Sequence, residues 1–372
     1  MQPFDRNIPY NSLPGLPPAE TLYKDTAVIQ KLAEASRKLA ELKGVASMLP
    51  NQSIFVNTIS LREAKASSAI ENIFTTDDEL YRALTYQEED YVQGPAKEIL
   101  HYREALWKGY NEIVKARKFT VDAIVEIYRQ VKQTHDGIRP YQAEIVNDFV
   151  EFLNDDERFP VDPLMKMAMA HYQFEAIHPF RDGNGRTGRI LIILYLIISD
   201  LLDLPILYLS RYITHNKSDY YRLIQEIRDK NEDNNKEWEN WILFMLKGVE
   251  ETAIQTIELI KQISKLMAEY KGVLKPIFGK QYKHELINNL FYHPYTKIEF
   301  LQKDMMVQRK TATKYLDMIV EAGLLDKVKM GRSNYYINAK LMDLFISQGM
   351  NSDNEIDNIE SNTTSVTRLP MQ

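Results

Sequence analysis

The feature of this sequence that most constrains its fold is a nine-residue apolar run, ILIILYLII, from Ile190 to Ile198. The run is about half as long as a membrane-spanning helix needs, so we predict a helix buried inside a protein core. A polar and glycine-rich segment, HPFRDGNGRTGR from His178 to Arg189, directly precedes it. A loop held by a rigid buried helix has its geometry fixed in advance, which is typical of a binding or catalytic site.

Apolar residues recur at helical spacing through most of the chain, and strand signals are nearly absent until the C-terminal region. Asp162-Pro163 marks a helix start, and His178 marks the stop, because the residue before Pro179 is disfavoured in the α region. We therefore predict an all-α main body. The helices expected in it cover residues 26–47, 54–73, 92–117, 120–135, 143–155 and 163–177.

The C-terminal part of the chain has a different pattern. After a long helix expected over 236–270, the segment KGVLKPIFGK is typical of a linker. Three short helices and a hairpin with Gly331 in its turn follow, an order that predicts a winged helix-turn-helix unit. We predict five segments: an N-terminal helical region (1–92), a helical core (93–255), a linker helix (256–280), the winged-helix unit (281–345) and a polar, disordered tail (346–372).

Composition excludes several classes of protein. The 372 residues include no cysteine, which excludes disulfides, thiol catalysis and Cys-ligated zinc and fits a reducing compartment. The formal net charge of −6 gives no global reason to expect binding to nucleic acid or to membranes. The N-terminal MQPFDRNIPYNSLPGLPP lacks the apolar stretch of a signal peptide. We therefore expect a cytoplasmic protein without membrane association.

The segment 178–189 has the features of an anion-binding loop at a helix N-terminus. The first N–H groups of a helix lack intrahelical partners and carry partial positive charge. Gly183 and Gly185 can adopt positive φ, which lets successive N–H groups point into one concavity. Arg186 and Arg189 are three residues apart and share a helix face, so both can reach the same anion. This set suits a polyphosphate better than a single carboxylate.

Two more residues of this segment indicate chemistry. Asp182 would repel a phosphate unless a divalent cation lay between them, and Mg²⁺ is typically held by one or two carboxylates together with phosphate oxygens. His178 lies at the edge of the loop, and the ordinary imidazole pKa of about 6.5 suits a general base. An EF-hand counted from Asp182 is excluded by Thr187 and Ile193, and a P-loop by Arg186-Thr187 after its last glycine.

The stretch from His178 to Arg189 resembles the signature of the Fic family, His-Pro-Phe-x-Asp/Glu-Gly-Asn-Gly-Arg-x-x-Arg, at every position. The resemblance implies a helical core that transfers AMP from ATP to a protein hydroxyl, with Asp182 holding Mg²⁺. It implies that His178 deprotonates a Ser, Thr or Tyr of the target and that Phe180 anchors the loop. The residues implied to bind the phosphates of ATP are Gly183, Asn184, Gly185, Arg186 and, at the γ-phosphate, Arg189.

A second motif lies upstream, where SSAIEN from Ser67 to Asn72 resembles the family's inhibitory pattern Ser/Thr-x-x-x-Glu-Gly/Asn. Ser67 and Glu71 are four residues apart, which is about one helical turn. The resemblance implies that Glu71 pairs with Arg189, occupies the place of the γ-phosphate and so inhibits the enzyme. The alternative is an ordinary solvated glutamate on a helix surface.

The sequence departs from the family at the flap, a β-hairpin that usually follows a turn like DGIR and holds the target segment by strand addition. Only a few residues separate Ile138 from the helix expected near Ala143. We therefore expect a very short flap or none. This departure affects how a target docks and leaves nucleotide binding unchanged.

Weaker signals concern the adenine pocket and the C-terminal unit. Gln173, His215 and Tyr220 are candidates for adenine contacts, with core or helix-surface positions as the alternative. Between residues 280 and 340 there are eleven Lys and Arg against six Asp and Glu. This local excess of positive charge fits DNA binding by the recognition helix and equally fits a protein-docking or dimer surface.

The sequence as a whole predicts an ATP- and Mg²⁺-dependent protein adenylyltransferase that is autoinhibited by Glu71. Its partner would be a target protein with an exposed hydroxyl residue, or the chain itself, and we expect a homodimer. Two alternatives stay open. One is a hydrolase that removes AMP from a modified protein, with Glu71 activating water. The other is a DNA-binding regulator whose core senses nucleotide, although the intact His178 argues against a purely sensory core.

Overall fold

The computed structural model of the chain describes residues 13–49, 51–85, 93–230, 235–330 and 333–345. These residues form two compact units. The first unit contains the described residues up to Thr76 and those from 93 to Ile257, and the second contains Asp77–Thr85 and the described residues from Glu258 onward. The tail predicted over 346–372, the first part of the N-terminal arm and the predicted turn at Gly331 lie outside the described residues.

Helices make up the regular structure of the first unit, as far as its residues are described, and they are numbered in chain order over both units. They are α1 (Thr26–Ser47), α2 (Gln52–Ile70), α4 (Pro95–Gly109), α5 (Val121–Lys132), α6 (Ala143–Asn154), α7 (Pro163–Ile177), α8 (Asn184–Ile198), α9 (Leu209–His215), α10 (Lys217–Lys230) and the first part of α11 (Asn235–Phe278). The prediction of an all-α main body is confirmed. None of the described helices is both long and apolar enough to cross a lipid bilayer.

Helix α8 lies at the centre of the first unit. Every residue from Asn184 to Ile197 is buried, including all but the last residue of the apolar run that the sequence predicted to be a core helix. Helix α7 packs along it and is buried over nearly its whole length. A helix that is apolar on all sides can be stable in water only with neighbours around it. The polar loop between α7 and α8 is therefore held by the two most buried helices of the unit.

Some predicted boundaries differ from the structure. Helix α5 ends at Lys132 instead of residue 135, because Gln133 adopts the left-handed conformation with φ 51°. The helix predicted over 92–117 is interrupted by a π turn at Tyr110–Val114. Helix α11 continues to Phe278, through the segment predicted to be a linker. It stays helical there because Tyr270, Leu274 and Phe278, spaced four residues apart, are all buried.

The second unit combines short helices with a small antiparallel sheet, and the sequence prediction of a winged helix-turn-helix for it stays a prediction. Its elements are α3 (Asp77–Thr85), the end of α11, α12 (His284–Tyr292), α13 (Ile298–Met305), α14 (Arg309–Glu321) and the strands β1 (Tyr295–Thr296), β2 (Asp326–Met330) and β3 (Ser333–Ile337). The antiparallel sheet has the order β1-β3-β2, with Lys327 opposite Tyr336 and Tyr295 opposite Ile337. The sequence analysis missed β1 because a two-residue strand is too short to show alternation.

Helix α3 belongs to the second unit, so the prediction of one N-terminal region over 1–92 is wrong at this point. Its Tyr81 ring stacks on the rings of Tyr295 and Phe345, at centroid distances of 6.1 and 5.9 Å. The Tyr295 hydroxyl donates a hydrogen bond to Asp78 at 2.7 Å across a separation of 217 residues. Contacts between residues so far apart leave no local pattern in the sequence, which explains the error.

Candidate active site

The loop between α7 and α8 is shaped by two residues with positive φ. Helix α7 ends at Ile177, and His178 follows in the left-handed conformation, with φ 52° and ψ 56°. Its backbone N–H donates to the Phe174 carbonyl at 3.0 Å and so closes the helix end. Gly183, with φ 78°, turns the chain into α8. Both ends of the loop are thereby fixed to buried helices.

Asn184 and Phe180 fasten the loop internally. The Asn184 side chain accepts a hydrogen bond from the Phe180 N–H and donates one to the Phe180 carbonyl, both at 2.8 Å. The Phe180 ring is fully buried and stacks on Tyr128 of α5 at a centroid distance of 3.8 Å. With its side chain used in this way, Asn184 can meet a phosphate through its backbone N–H at the start of α8.

Arg189 is bound to the SSAIEN motif. Its Nε donates to the Ser67 hydroxyl at 2.7 Å, and its Nη2 donates to the Ser67 carbonyl at 2.9 Å and to the Glu71 carboxylate at 3.0 Å. Only 2% of the Arg189 side chain is exposed. Burial opposes its charge, but Glu71 and other groups outweigh burial and raise the pKa of Arg189 above its ordinary value. Arg189 is therefore a permanent buried cation with Glu71 as counter-ion.

The Glu71 carboxylate also lies directly against the start of α8. A Cβ atom placed on Gly185 would come within 2.3 Å of the Glu71 Oε1 atom, so only glycine leaves room for this contact. The carboxylate thus lies at the N-terminus of α8, where unpaired N–H groups and the helix dipole favour an anion. Ser67, Glu71 and Arg189, which the sequence placed in two separate motifs, are neighbours in the structure.

Asn72 explains why the upstream motif ends in Gly or Asn. Helix α2 ends at Ile70, Glu71 is its C-cap and Asn72 has φ 61°. The Ile73 N–H returns to the Ser68 carbonyl at 3.0 Å, which is the hydrogen bond of a helix ending with a left-handed residue. Glycine and asparagine tolerate this conformation better than other residues. The motif therefore combines a carboxylate with the turn that positions it.

Arg186 has a different partner from Arg189. Its Nη1 donates to Glu98 of α4 at 3.0 Å, and its side chain is 2% exposed. The sequence placed both arginines on one helix face toward a common anion. In the structure each is already paired with a carboxylate from another helix, Glu98 for Arg186 and Glu71 for Arg189.

His178 is exposed, and both its ring and its backbone carbonyl have neighbouring groups. Protein atoms around its ring and the nearby positive charge of Arg139 lower the pKa of His178, although a hydrogen bond from the ring to the Glu175 carbonyl opposes them. The Arg139 guanidinium donates to the His178 carbonyl, and the Arg139 N–H donates to the Pro179 carbonyl at 2.9 Å. The lowered pKa of His178 favours the neutral imidazole, which is the form that can accept a proton.

Asp182 is the exposed carboxylate of the loop, with 70% of its side chain accessible. Its Oδ2 accepts a hydrogen bond from Lys132 at 2.5 Å and its Oδ1 accepts one from the Gly183 N–H at 2.6 Å. The Lys132 ammonium lowers the pKa of Asp182. Within the described residues no three His, Asp or Glu side chains form a metal site by themselves. A single accessible carboxylate suits Mg²⁺ that is shared with phosphate oxygens.

The three candidates for adenine contacts occupy unlike environments. Tyr220 is buried, and its hydroxyl pairs with the His171 Nε2 at 2.9 Å. Gln173 is 9% exposed, and its Oε1 has no hydrogen-bond partner among the described residues. His215 is exposed, with its Nδ1 at 2.7 Å from the Arg211 carbonyl. Tyr220 therefore has the core position that the sequence analysis gave as the alternative.

Sequence analysis missed four residues around the loop. Glu98, Lys132 and Arg139 contact it from α4, α5 and the segment after α5. Glu175 on α7 has a buried Oε1 without a partner among the described residues, and burial raises the pKa of its carboxyl group to about 7. Their contacts arise from packing of separate helices, and only the DGIR turn at Arg139 gave a signal in the sequence.

No strand occurs in residues 133–142, all of which are described. The segment between α5 and α6 contains a 3-10 turn at Pro140–Gln142. This agrees with the expectation of a very short or absent flap.

Family models match most of the described chain. The Fic/DOC family model matches residues 93–196, and the model of the Fic/DOC family N-terminal region matches residues 29–111. The model of the C-terminal domain of SoFic-like protein adenylyltransferases matches residues 266–341. The first two matches cover the SSAIEN motif and the loop, and the third lies in the second unit.

Curated relatives match parts of the chain. Protein adenylyltransferase fic-1 of Caenorhabditis elegans is 32% identical over 94 residues, which are 20% of this chain and 18% of the relative. A probable protein adenylyltransferase of Aquifex aeolicus is 30% identical over 151 residues, 38% of this chain and 42% of the relative. Protein adenylyltransferase Fic of Nematostella vectensis is 28% identical over 219 residues, which are 51% of this chain and 48% of the relative. The chain spans less than half the length of each.

Solved structures share the fold. A Fic family protein from Desulfovibrio desulfuricans G20 superposes with a TM-score of 0.51 at 16% identity, over 84% of this chain and 96% of that one. A fragment of Fic-1 from C. elegans superposes with a TM-score of 0.50 at 21% identity, over 62% of this chain and 73% of the fragment. The matching family models, the complete His178–Arg189 signature and the shared helical fold together show that this chain belongs to the Fic/DOC family.

Proposed function

We propose that this chain is a protein adenylyltransferase that transfers AMP from ATP to the hydroxyl of a Ser, Thr or Tyr in a target protein or in itself. The observation that carries the proposal is the placement of an exposed His178 beside the N-terminus of α8, where Arg189 already binds a carboxylate. A base and an anion site at one loop are what transfer of a phosphoryl-linked group to a hydroxyl requires.

The proposed transfer exchanges one bond at the α-phosphorus of ATP for another. The target oxygen forms a bond to the α-phosphorus of ATP, the bond from that phosphorus to the bridging oxygen breaks, and pyrophosphate leaves. His178 accepts the proton of the attacking hydroxyl. The N–H groups at the start of α8 and the Arg189 guanidinium bind the phosphate oxygens and stabilise their charge.

The loop residues also fit a divalent cation. Asp182 is exposed next to the predicted phosphate site and would hold Mg²⁺ together with phosphate oxygens. Bound there, Mg²⁺ would neutralise charge on the phosphates and help pyrophosphate to leave. The chain's own part is to present one carboxylate, which the Gly183 N–H holds at 2.6 Å.

Autoinhibition by Glu71 is the regulatory part of this proposal. The Glu71 carboxylate lies against Gly185 and pairs with Arg189 at 3.0 Å, which is the arginine that would bind the γ-phosphate. ATP can bind fully only after this carboxylate leaves. The same contact supports the alternative in which Glu71, as a carboxylate beside the loop, activates water to remove AMP from a modified protein.

The test is labelling with ATP that carries ³²P at the α-phosphate, in the presence of Mg²⁺, with and without cell lysate. We expect label in a target protein or in the chain itself, and loss of that label in His178→Ala, because general-base catalysis contributes about 10²–10⁴-fold. His284→Ala is the matched control, since His284 is also exposed but lies in α12 of the second unit. Equal labelling by His178→Ala and wild type contradicts the mechanism.

The hydrolase alternative gives a different result. If the chain removes AMP, pre-labelled protein loses its label when the chain is added, and Glu71→Ala abolishes the loss. If the chain only adds AMP, Glu71→Ala increases labelling and no release is seen. A single variant therefore distinguishes the two activities.

A second proposed function concerns the winged-helix unit, which we propose binds duplex DNA through α14. Lys310 and Lys314 lie one turn apart on this helix and are exposed. Arg309 is paired with Glu299 at 2.5 Å, and Tyr315 is a core residue in contact with Phe278, so these two residues of α14 are less available to DNA than the two lysines. Binding of a duplex should weaken steeply with salt and fall in Lys310→Ala with Lys314→Ala. No mobility shift at low salt favours protein docking instead.

A further inference from the structure

The ion pair between Asp182 of the loop and Lys132 of α5 has no part in AMP transfer by His178 or in phosphate binding by Arg189. Asp182 adds a negative charge beside a site for polyphosphate, and in this structure that charge is neutralised by an ammonium group. The Lys132 Nζ of α5 donates to the Oδ2 atom of Asp182 at 2.5 Å. Loop and lysine come from helices separated by 50 residues in the sequence.

The position of Lys132 is supported by one direct contact and by two features of α5. Its Cγ and Cδ atoms lie 2.9 Å from where a Cβ atom of Gly183 would be, so the stem crosses the loop at the residue that leads into α8. Tyr128, one turn earlier on the same face of α5, stacks on Phe180 of the loop. The lysine is also the last residue of α5, where the helix dipole favours a cation. Lys132 is therefore held against the loop by packing as well as by charge.

The ammonium group keeps the capacity to bind a second anion. A lysine carries three N–H donors, and among the described residues Asp182 is the one acceptor recorded for the Lys132 Nζ. The Lys132 side chain is 25% exposed, and Asp182 is open to solvent. The opposite oxygen of Asp182 is occupied by the Gly183 N–H. The chain thus already presents a cation at this carboxylate, beside the residue that leads into α8.

We propose that Lys132 stands in for a divalent cation between Asp182 and the phosphates, so that the loop binds ATP without metal and metal is required for the transfer step. This inference rests on the proposed function, since it assumes that polyphosphate binds at the start of α8. A bridging ammonium has the right charge and donors for both partners. It differs from Mg²⁺ in neutralising one charge instead of two, which suits binding better than stabilisation of a leaving pyrophosphate.

The experiment measures the dissociation constant of ATP for the full chain by calorimetry, once with EDTA and once with Mg²⁺, in a Glu71→Ala background that opens the site. Lys132→Met keeps the length and packing of the stem and removes the charge. We expect its ATP binding in EDTA to weaken about tenfold, the effect of losing a hydrogen bond to a charged group, and Mg²⁺ to restore most of it. Lys132→Arg should retain metal-free binding.

Lys108→Met is the matched control, because Lys108 also forms a short ion pair, with Glu126 at 2.7 Å, that does not involve the loop. A purely structural role for Lys132 would shift both dissociation constants of Lys132→Met by the same factor. Equal ratios of the EDTA and Mg²⁺ constants in Lys132→Met and Lys108→Met overturn the proposal. If the Glu71→Ala protein binds no ATP under either condition, the proposed function itself fails, and this inference fails with it.

Discussion

Removal of the Glu71 carboxylate tests the link between the two motifs most directly. In the structure Glu71 and Arg189 share a charge-assisted hydrogen bond of 3.0 Å, and ATP must replace it to place its γ-phosphate on Arg189. Such a bond contributes about 1.5–3 kcal/mol. Because 34% of the Glu71 side chain is exposed, we take the lower end, about 1.5 kcal/mol, which is about tenfold in ATP affinity.

A second effect adds to this loss of affinity. ATP that enters beside Glu71 would bind with its α-phosphate displaced, and a misplacement of about 1 Å can cost on the order of 100-fold in rate. We therefore expect Glu71→Ala and Glu71→Gly to raise labelling from α-³²P-ATP at least about tenfold. The gain should be largest at low ATP concentration, where affinity and alignment both limit the wild type.

The structure supplies the controls for this experiment. Glu71 follows the last residue of α2 instead of lying inside it, so glycine there should not weaken the helix as it would in the interior. Glu71→Ala and Glu71→Gly should then behave alike. Adding Arg189→Ala should remove the gain, because the γ-phosphate loses its partner. If neither Glu71 variant labels more strongly than wild type while His178→Ala abolishes labelling, autoinhibition by Glu71 is refuted and the transfer mechanism stands.

Three further predictions follow from particular contacts. Asn72→Ala should destabilise the left-handed turn after α2 by about 1–2 kcal/mol and raise labelling, whereas Asn72→Gly should do neither, as thermal melts and labelling can show. Since the pKa of His178 is lowered, its neutral form persists below pH 6.5, and the pH profile of kcat/KM in the Glu71→Ala background should fall with a midpoint under that value; a midpoint above 6.5 contradicts the assignment. A chain ending at Ile257 leaves α3 without Tyr295 and Phe345, so limited proteolysis should cut within Asp77–Thr85 in the shortened chain and spare it in the full one.

Local chemistry made some parts of this molecule predictable. The start of α7 follows from Asp162-Pro163 and its end from His178-Pro179, because an N-cap and a proline act on adjacent residues only. The buried position of α8 follows from nine consecutive apolar residues. The turn into α8 follows from Gly183, which has φ 78°. In each case the signal and the structure it determines lie within a few residues of each other.

Other parts depend on residues that meet only in the folded chain. Glu98 from α4 pairs with Arg186, and Lys132 from α5 pairs with Asp182. The residue spacing within the loop does not predict either partner. The sequence predicted that Arg186 and Arg189 bind one common anion. In the folded chain each arginine pairs with a carboxylate from a different helix. Such pairs form where packed helices bring opposite charges together, and the buried Arg186 needs its partner most, because an unpaired buried charge is costly.

The sequence by itself determined the class of fold, the two helices that hold the loop, the signature of the Fic/DOC family and the identity of the candidate base, His178. The tertiary structure alone decided that Glu71 lies against Gly185, that Asn184 closes the loop with its side chain and that α3 joins the second unit. The physical reason is the distance along the chain over which each kind of interaction acts. Helix propensity, capping and glycine conformations act over a few residues, whereas ion pairs and ring stacking depend on where the packed helices bring distant residues together.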